Sequence, residues 1–115
     1  EGEATYVKVA GRRGEMIKIG GELVSLSRLD SLLGRALQHF PGLDAAIVAV
    51  PDQRLGSVIH LAGSDERTGD LQRVFNRDVL PFERVRTVHL VEKIPRSPLG
   101  KLLRTDLLRI LLKIS

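Results

Sequence analysis

The sequence contains no cysteine and no tryptophan, and aromatic residues make up only 3 % of it. The lack of cysteine excludes disulfides and thiolate metal sites. The three histidines, His39, His60 and His89, are far apart and do not have the spacing of zinc ligands, so no metal site is expected. Few aromatic side chains leave little for nucleic-acid bases to stack on, which argues against a nucleic-acid-binding domain.

Long hydrophobic runs are also missing. No apolar stretch approaches the ~20 residues that a helix needs to cross a bilayer. The chain opens on Glu1-Gly2-Glu3 with no apolar segment behind it, so no signal peptide is recognisable. It also lacks an initiator methionine, which indicates a fragment or a processed product. We therefore expect a cytoplasmic domain with no membrane span.

Length and charge narrow the class further. The 115 residues predict one domain, spanning residues 1–115, with enough chain to bury a core. Lys and Arg exceed Asp and Glu by 18 to 14, and the sequence pI is about 10.0. This excess suits an anionic partner such as a nucleotide, coenzyme A, an acidic carrier protein or nucleic acid. It is too small to choose among them.

The N-terminal part of the chain alternates in the manner of strands. Residues 7–9 lead into a glycine-rich turn at residues 11–14, and Met16–Ile19 leaves it. Gly20 and Gly21 are expected to break this second strand before a short extended piece. The sequence thus predicts an N-terminal β-hairpin.

Three helices are predicted from apolar residues at helical spacing. Ser27 is placed to cap the first, with Asp30 in the capping-box position, and Thr68 and Thr105 could cap the other two. The predicted apolar faces are Leu29, Leu32, Leu33, Ala36, Leu37 and Phe40 in the first helix, Leu71, Val74, Phe75 and Val79 in the second, and Leu103, Leu107, Ile110, Leu111 and Ile114 in the last.

Further strands are predicted between the helices. Residues 44–50 and 57–63 are short apolar runs without alternation, which is typical of strands covered on both faces. A β-branched strand precedes the last helix. The predicted fold class is α+β, with a small mixed β-sheet, an N-terminal β-hairpin and about three flanking helices.

Two stretches could carry chemistry, and each has an ordinary alternative. "GRRGEMIKIGG" brings glycines beside Arg12 and Lys18, where backbone could approach a ligand, but a hairpin turn with a bulge explains it equally well. "EKIPRSPLGKLLR" frames Lys101 between prolines and a glycine, which would project this lysine from a defined loop. The alternative is a solvated lysine before a helix.

Three motifs that occur in a fixed order indicate a family: "GRRGEMIKIGGELVSLSRLDSLL", "FPGLDAAIVAVPDQRLG" and "VEKIPRSPLGKLLR". Together they closely resemble the mobile C-terminal domain of the adenylate-forming enzymes, which include acyl-CoA synthetases, peptide-synthetase adenylation domains and luciferases. The resemblance covers nearly the whole chain. It implies the lid domain of an ATP-dependent acyl-CoA or acyl-carrier-protein synthetase, and "IKIGGELVSL" looks especially like the carrier-protein synthetases of fatty acid metabolism.

The resemblance also implies a two-step reaction and roles for individual residues. Such enzymes join a carboxylic acid to ATP with Mg²⁺ and then pass the acyl group to coenzyme A or to the phosphopantetheine of an acyl carrier protein. Lys101 matches the catalytic lysine of adenylation, and Arg12 matches a nucleotide-binding arginine. Gly14 matches the hinge, and the strand and loop of the thiol-transfer step are matched by Lys18, Gly20 and Gly21.

Some family features are absent or altered. Gly14 stands where the family usually has Asp or Lys, and Leu99 where it usually has Ser or Thr. The phosphate loop, adenine pocket and acyl pocket of the large N-terminal domain do not occur. We therefore expect the isolated domain to be inactive, to bind no cofactor tightly, and to need that N-terminal adenylation domain as its partner. The alternative is a stand-alone carrier-protein-binding module without catalysis.

Overall fold

A tight hairpin is the first element of the computed structural model, which describes residues 15–114. Met16–Ile19 (β1) and Glu22–Ser25 (β2) pair antiparallel around Gly20 and Gly21. These glycines have φ of 60° and 89°, the positive pair that a two-residue hairpin turn of this hand requires. The predicted strand break at these glycines is therefore confirmed, and so is the short extended piece after them; the pairing of the two strands across the turn was not predicted. The strand and turn predicted within residues 7–14 lie outside the described residues.

A three-stranded mixed sheet forms the centre of the domain. Ala45–Asp52 (β3) and Gly56–Gly63 (β4) pair antiparallel over their whole length, from Ala45 opposite Gly63 to Asp52 opposite Gly56. Thr87–Leu90 (β5) runs parallel to β4, with His60 opposite Thr87, and the strand order is β3-β4-β5. Because β5 is short, it pairs only with the second half of β4.

Three α-helices cover this sheet: Leu26–Leu37 (α1), Thr68–Arg77 (α2) and Arg104–Ile114 (α3). A 3-10 turn at Pro81–Glu83 precedes β5. With the hairpin and the mixed sheet, these helices confirm the predicted α+β class and its approximate helix count in the described part of the chain.

The helices begin at residues other than those predicted. Ser25 caps α1, since its Oγ accepts a hydrogen bond from the Arg28 N–H at 3.2 Å, whereas the predicted cap, Ser27, lies inside the helix. Ser25 is equally suited to capping, and the pattern did not separate the two serines. Asp30 also lies within α1 and cannot complete a capping box there.

The two threonine caps are wrong as well. Thr68 is the first residue of α2 and is fully buried, and its hydroxyl donates to the Asp65 carbonyl at 2.6 Å. Thr105 lies one residue inside α3, which begins at Arg104. In both cases the helix extends further towards its N-terminus than the apolar spacing indicated.

The core lies on both faces of the sheet, as expected for strands without polar alternation. Along β3, Ala45 and Ile47 pack towards α1 and α2, while Ala46 and Val48 pack towards α3. The predicted helical faces are buried or partly buried for α1 and α2, although Phe40 and Val79 lie beyond the helix ends. In α3 the face is narrower than predicted: Leu107 and Leu111 are buried, but Ile110 is 36 % exposed, and the side chain of residue 114 lies outside the described part.

Candidate functional site

The loop of residues 95–103, named the Lys101 loop below, is closed by hydrogen bonds among its own residues. Ser97 N–H donates to the Lys101 carbonyl at 2.8 Å, and Lys101 N–H donates to Ser97 Oγ at 3.1 Å. Gly100 N–H donates to the Ser97 carbonyl at 2.8 Å, and Gly100 has a φ of 90°. The loop therefore has a defined shape, and Lys101 is exposed on it.

This loop is also fastened to the sheet. Arg96 and Leu102 form an isolated antiparallel β-bridge at its base. Arg96 Nη2 donates to Asp44 Oδ1 at 2.7 Å, just before β3, and Arg104 Nε donates to the Ile47 carbonyl at 3.3 Å. Among residues 15–114, no ion pair includes the Lys101 side chain. Its ammonium is thus available to a ligand.

The second predicted site, at Lys18, Gly20 and Gly21, is held by the turn between β3 and β4. Gly20 N–H donates to the Leu55 carbonyl at 2.8 Å. Asp52 Oδ2 in turn accepts from the Leu55 N–H at 2.7 Å and thereby shapes that turn. Lys18 is exposed, as are both glycines.

The two predicted sites lie at opposite ends of the β3–β4 pair. The Lys101 loop contacts Asp44 at the start of β3, and Gly20 contacts Leu55 just beyond its end. The 8 residues of β3 make seven steps of about 3.3 Å each, which separate these ends by roughly 23 Å. The structure therefore does not bring Lys101 together with Lys18. Arg12 and Gly14 lie outside the described residues.

A cleft of about 650 Å³ opens beside the Gly20–Gly21 turn. It lies along the part of β4 that β5 does not pair with, and it is named the arginine cleft here. Its lining residues are Ile19, Gly20, Glu22, Asp52, Arg54, Leu55, Val58, Ile59, His60, Phe82, Arg84, Arg86 and Thr87. Three arginines outnumber two carboxylates, so the cleft favours an anionic ligand.

Sequence reasoning missed this cleft because its residues come from four separate segments. The alternation of Arg84 and Arg86 around Val85 was the available signal, since it places both cations on one side of an extended segment. Arg54, thirty residues earlier, joins them only because the β3–β4 turn folds beside the hairpin.

Two histidines of neighbouring strands form a pair at the edge of the cleft. His60 Nδ1 and His89 Nε2 are 3.0 Å apart, and the rings stack with their centroids separated by 5.1 Å. Burial and, second, the charge of His89 hold the pKa of His60 below its ordinary value. Burial likewise lowers the pKa of His89. Both rings therefore favour the neutral form, with one nitrogen donating to the other.

The buried carboxylate of Glu83 supports the segment that carries Arg84 and Arg86, which forms one wall of the cleft. Glu83 is 1 % exposed; its Oε1 accepts from the Leu80 N–H at 3.0 Å, and its Oε2 pairs with the guanidinium of Arg28 on α1. These contacts join the 3-10 turn, which leads into Arg84 and Arg86, to the first helix.

Metal ligands and membrane spans are both missing from residues 15–114. No group of three or more His, Asp or Glu side chains in this part is arranged to hold a metal ion. No helix there is both long and apolar enough to span a membrane.

No protein-family model matches the sequence, but individual relatives do. The chain is 34 % identical over 113 residues to the peroxisomal OPC-8:0-CoA ligase 1 of Arabidopsis thaliana, covering 94 % of this chain and 20 % of the relative. It is 34 % identical over 104 residues to the 4-coumarate:CoA ligase 1 of Petunia hybrida, covering 86 % of this chain and 19 % of the relative. The chain thus spans about a fifth of the length of these curated relatives.

Solved structures agree on the fold. An acyl-CoA synthetase (AMP-forming)/AMP-acid ligase II-like protein from Dyadobacter fermentans superposes with a TM-score of 0.70 at 18 % identity, over 87 % of this chain and 29 % of that one. The o-succinylbenzoate CoA synthetase of Bacillus subtilis gives a TM-score of 0.63 at 25 % identity, over 85 % of this chain and 20 % of that one.

The mixed sheet with its hairpin, covered by three helices, is thus the C-terminal domain fold of the adenylate-forming enzymes. The chain is similar to CoA ligases over most of its own length, and this similarity is confined to about a fifth of theirs.

Proposed function

We propose that this chain, residues 1–115, is the mobile C-terminal lid domain of an AMP-forming acyl-CoA synthetase. The observation that carries the proposal is the relation to CoA ligases over 94 % of this chain but only 20 % of theirs. A large N-terminal domain would supply the ATP and carboxylic acid sites. Since half of the active site then lies elsewhere, we expect the isolated chain to be inactive and to bind ATP, Mg²⁺ and CoA only as part of the complete enzyme.

Lys101 is proposed to act in adenylation. A fixed cation would offset the negative charge that develops as the carboxylate attacks the α-phosphorus of ATP. The closed hydrogen bonds of the Lys101 loop and the lack of an ion-pair partner for this lysine in residues 15–114 support this role. Because the loop fixes the backbone at Lys101, little backbone entropy is lost when this lysine meets its ligand.

The other end of the β3–β4 pair, which carries the Gly20–Gly21 turn, is proposed to act in thioester formation. Lys18, Gly20 and Gly21 would border the passage of the thiol, where glycine lets backbone lie close to a narrow ligand. The adjacent arginine cleft would take the phosphates of CoA, because its volume and its three arginines suit a polyanion. An acidic surface of an acyl carrier protein is the other acceptor that this charge would suit.

Two working ends about 23 Å apart require the domain to move between steps. Rotation about Gly14 would bring first the Lys101 loop and then the Gly20–Gly21 turn to one active site, and glycine at the hinge would absorb the dihedral change. Arg12, two residues earlier, is proposed to meet the nucleotide.

The cytoplasmic location expected from the sequence stays a prediction.

The complete enzyme carrying Lys101→Ala tests the adenylation role. We expect ATP–pyrophosphate exchange to fall by about 100-fold or more, the scale of losing one preorganised electrostatic contact. Thioester formation from a supplied acyl-adenylate should be unchanged. Lys113→Ala, which removes an exposed lysine of α3, is the matched control and should leave both steps as they were.

Unchanged pyrophosphate exchange in the Lys101 variant would contradict the proposed role. The size of the native protein is the companion measurement. A species several times larger than 12.7 kDa supports the lid domain. A native 12.7 kDa species that binds an acidic carrier protein in a salt-sensitive, saturable way would instead favour the stand-alone binding module.

A further inference from the structure

The segment that carries Arg84 and Arg86 has an unusual support. It lies before β5 and pairs with no strand among residues 15–114, yet Val85 at its centre is only 1 % exposed. A buried backbone amide and carbonyl require hydrogen-bond partners. Two side chains of α2 supply them.

Asn76 contacts both backbone groups of Val85. Its Oδ1 accepts from the Val85 N–H at 2.8 Å, and its Nδ2 donates to the Val85 carbonyl at 2.9 Å. Gln72, one turn earlier on α2, donates through Nε2 to the same carbonyl at 2.8 Å. The two hydrogen bonds from Asn76 resemble those that a residue of a neighbouring strand would make with Val85. They therefore fix both the position and the rotation of the Val85 backbone.

Fixing Val85 also fixes the two arginines. The backbone is extended at Arg84, with φ of −67° and ψ of 141°, so side chains alternate along this segment. Val85 points into the core, and Arg84 and Arg86 therefore both project away from it, where they line the cleft. Without the contacts from α2, Val85 would still pack in the core, but the backbone between the exposed arginines would lose the hydrogen bonds that fix its rotation.

We propose that Asn76, assisted by Gln72, is a positioning residue for the arginine pair and so sets the affinity of the cleft for the phosphates of the acyl acceptor. This inference rests on the proposed function. Asn76 does not line the cleft and acts only through Val85. It governs the thioester step and leaves adenylation, which uses the Lys101 loop, unaffected.

The test uses steady-state kinetics of the complete enzyme with CoA as the varied substrate. Asn76→Leu keeps the side-chain size and removes the hydrogen bonds. We expect the KM for CoA to rise about tenfold, the effect of releasing a few modest hydrogen bonds, with kcat and ATP–pyrophosphate exchange unchanged. Gln72→Met should raise this KM less. Gln38→Met, on the exposed C-terminal cap of α1, is the matched control and should change nothing.

A double-mutant cycle separates positioning from general structural support. Arg84→Ala/Arg86→Ala should raise the KM for CoA at least as much as Asn76→Leu does, and adding Asn76→Leu should then produce no further rise. An additive rise would overturn the positioning role. Should Asn76→Leu fail to fold, Gln72→Met enters the same cycle in its place, with the same expectation.

The outcomes also separate this inference from the proposed function. If the arginine variant raises the KM for CoA and neither Asn76→Leu nor Gln72→Met does, the positioning role is wrong and the acceptor site stands. If the arginine variant has no effect on the KM for CoA, the cleft does not hold the acceptor, and both the acceptor site and the positioning role of Asn76 are wrong. Lys101→Ala still tests the adenylation role independently in either case.

Discussion

The Lys101 loop and the arginine cleft occupy opposite ends of one antiparallel strand pair and are built in different ways. The loop is a single run of nine residues whose shape comes from its own hydrogen bonds, as between Ser97 and Lys101. The cleft is assembled from four segments that long-range contacts hold together, such as Gly20 with Leu55 and Asn76 with Val85. Local structure presents a single charged group, whereas tertiary structure gathers several into a concave site.

This difference affects how each end responds to change. A substitution inside the loop, other than at Arg96, which pairs with Asp44, should alter the presentation of Lys101 and little else. A substitution in the supports of the cleft should alter stability as well, because the same contacts join helices to the sheet. Four predictions test that distinction, from the largest expected effect on the free energy of unfolding to the smallest.

Gly63→Ala should be the most destabilising change. A Cβ at this buried glycine would lie 2.0 Å from Thr68 Oγ1, which also donates to the Asp65 carbonyl. Neither backbone can withdraw readily, so we expect a loss of about 3 kcal/mol in urea unfolding, the upper part of the range for overpacking. Gly63→Ala/Thr68→Gly, which removes the whole Thr68 side chain and so makes room for the new methyl group, should recover part of that loss. A fully stable Gly63→Ala protein would show that β4 and α2 are packed more loosely at this end.

Glu83→Ala should cost about 2 kcal/mol. It removes the buried acceptor of the Leu80 N–H and one partner of the ion pair with Arg28, whose side chain is 45 % exposed and so can still be solvated. Glu83→Gln keeps the acceptor and the size, and should cost less. Hydrogen exchange should accelerate at Val85, in the wall of the cleft, and stay unchanged at Gly100. Equal acceleration at both amides would contradict the independence of the two ends.

The Lys101 loop is easier to predict from the sequence than the arginine cleft, because the loop is shaped by neighbouring residues and the cleft by distant ones. Pro95, Pro98 and Gly100 indicate a rigid loop around Lys101 because their effects are confined to the chain neighbours. Gly20 and Gly21 indicate a turn for the same reason, although the sequence alone left open whether it ended a strand or joined two. The strand break was predicted correctly, but the pairing of β1 with β2 was not, because it depends on contacts between the two strands.

The cleft could not be predicted in this way. From the sequence, Arg84 and Arg86 are interpreted as mostly solvated charge, with docking of a carrier protein as the alternative. Nothing near them in the sequence refers to Arg54 or to Asn76. The predicted start of α1 was wrong for a related reason. Ser25 and Ser27 are both suitable caps, and packing of the fully buried Leu26 and Leu29 selects where α1 begins. Tertiary contacts settle choices that local preference leaves nearly equal.

Gly100→Ala and Gly21→Ala form a matched pair across the two ends. The glycines have φ of 90° and 89°, and a Cβ at either would meet no other atom within 4 Å. Each substitution should therefore cost about 1 kcal/mol, from the left-handed backbone alone. In the complete enzyme their effects should divide: Gly100→Ala should slow ATP–pyrophosphate exchange, and Gly21→Ala should slow thioester formation. If both variants slowed the same step, the assignment of one step to each end would be wrong.

The smallest effect should come from pH, through the stacked pair of His60 and His89. The pKa of each ring lies below its ordinary value of 6.5 in the folded protein, so the unfolded chain takes up protons first as the pH falls. Stability should therefore be fully present above that value and decline as the pH falls below it, because the unfolded chain binds protons more readily there. His89→Gln removes one titrating ring and the charge that acts on His60, so its urea midpoint should depend less on pH. A variant as pH-sensitive as the parent would show that the decline comes from other groups. Because His60 lines the arginine cleft and the Lys101 loop has no histidine, hydrogen exchange at low pH should accelerate near the cleft before it does so in the loop.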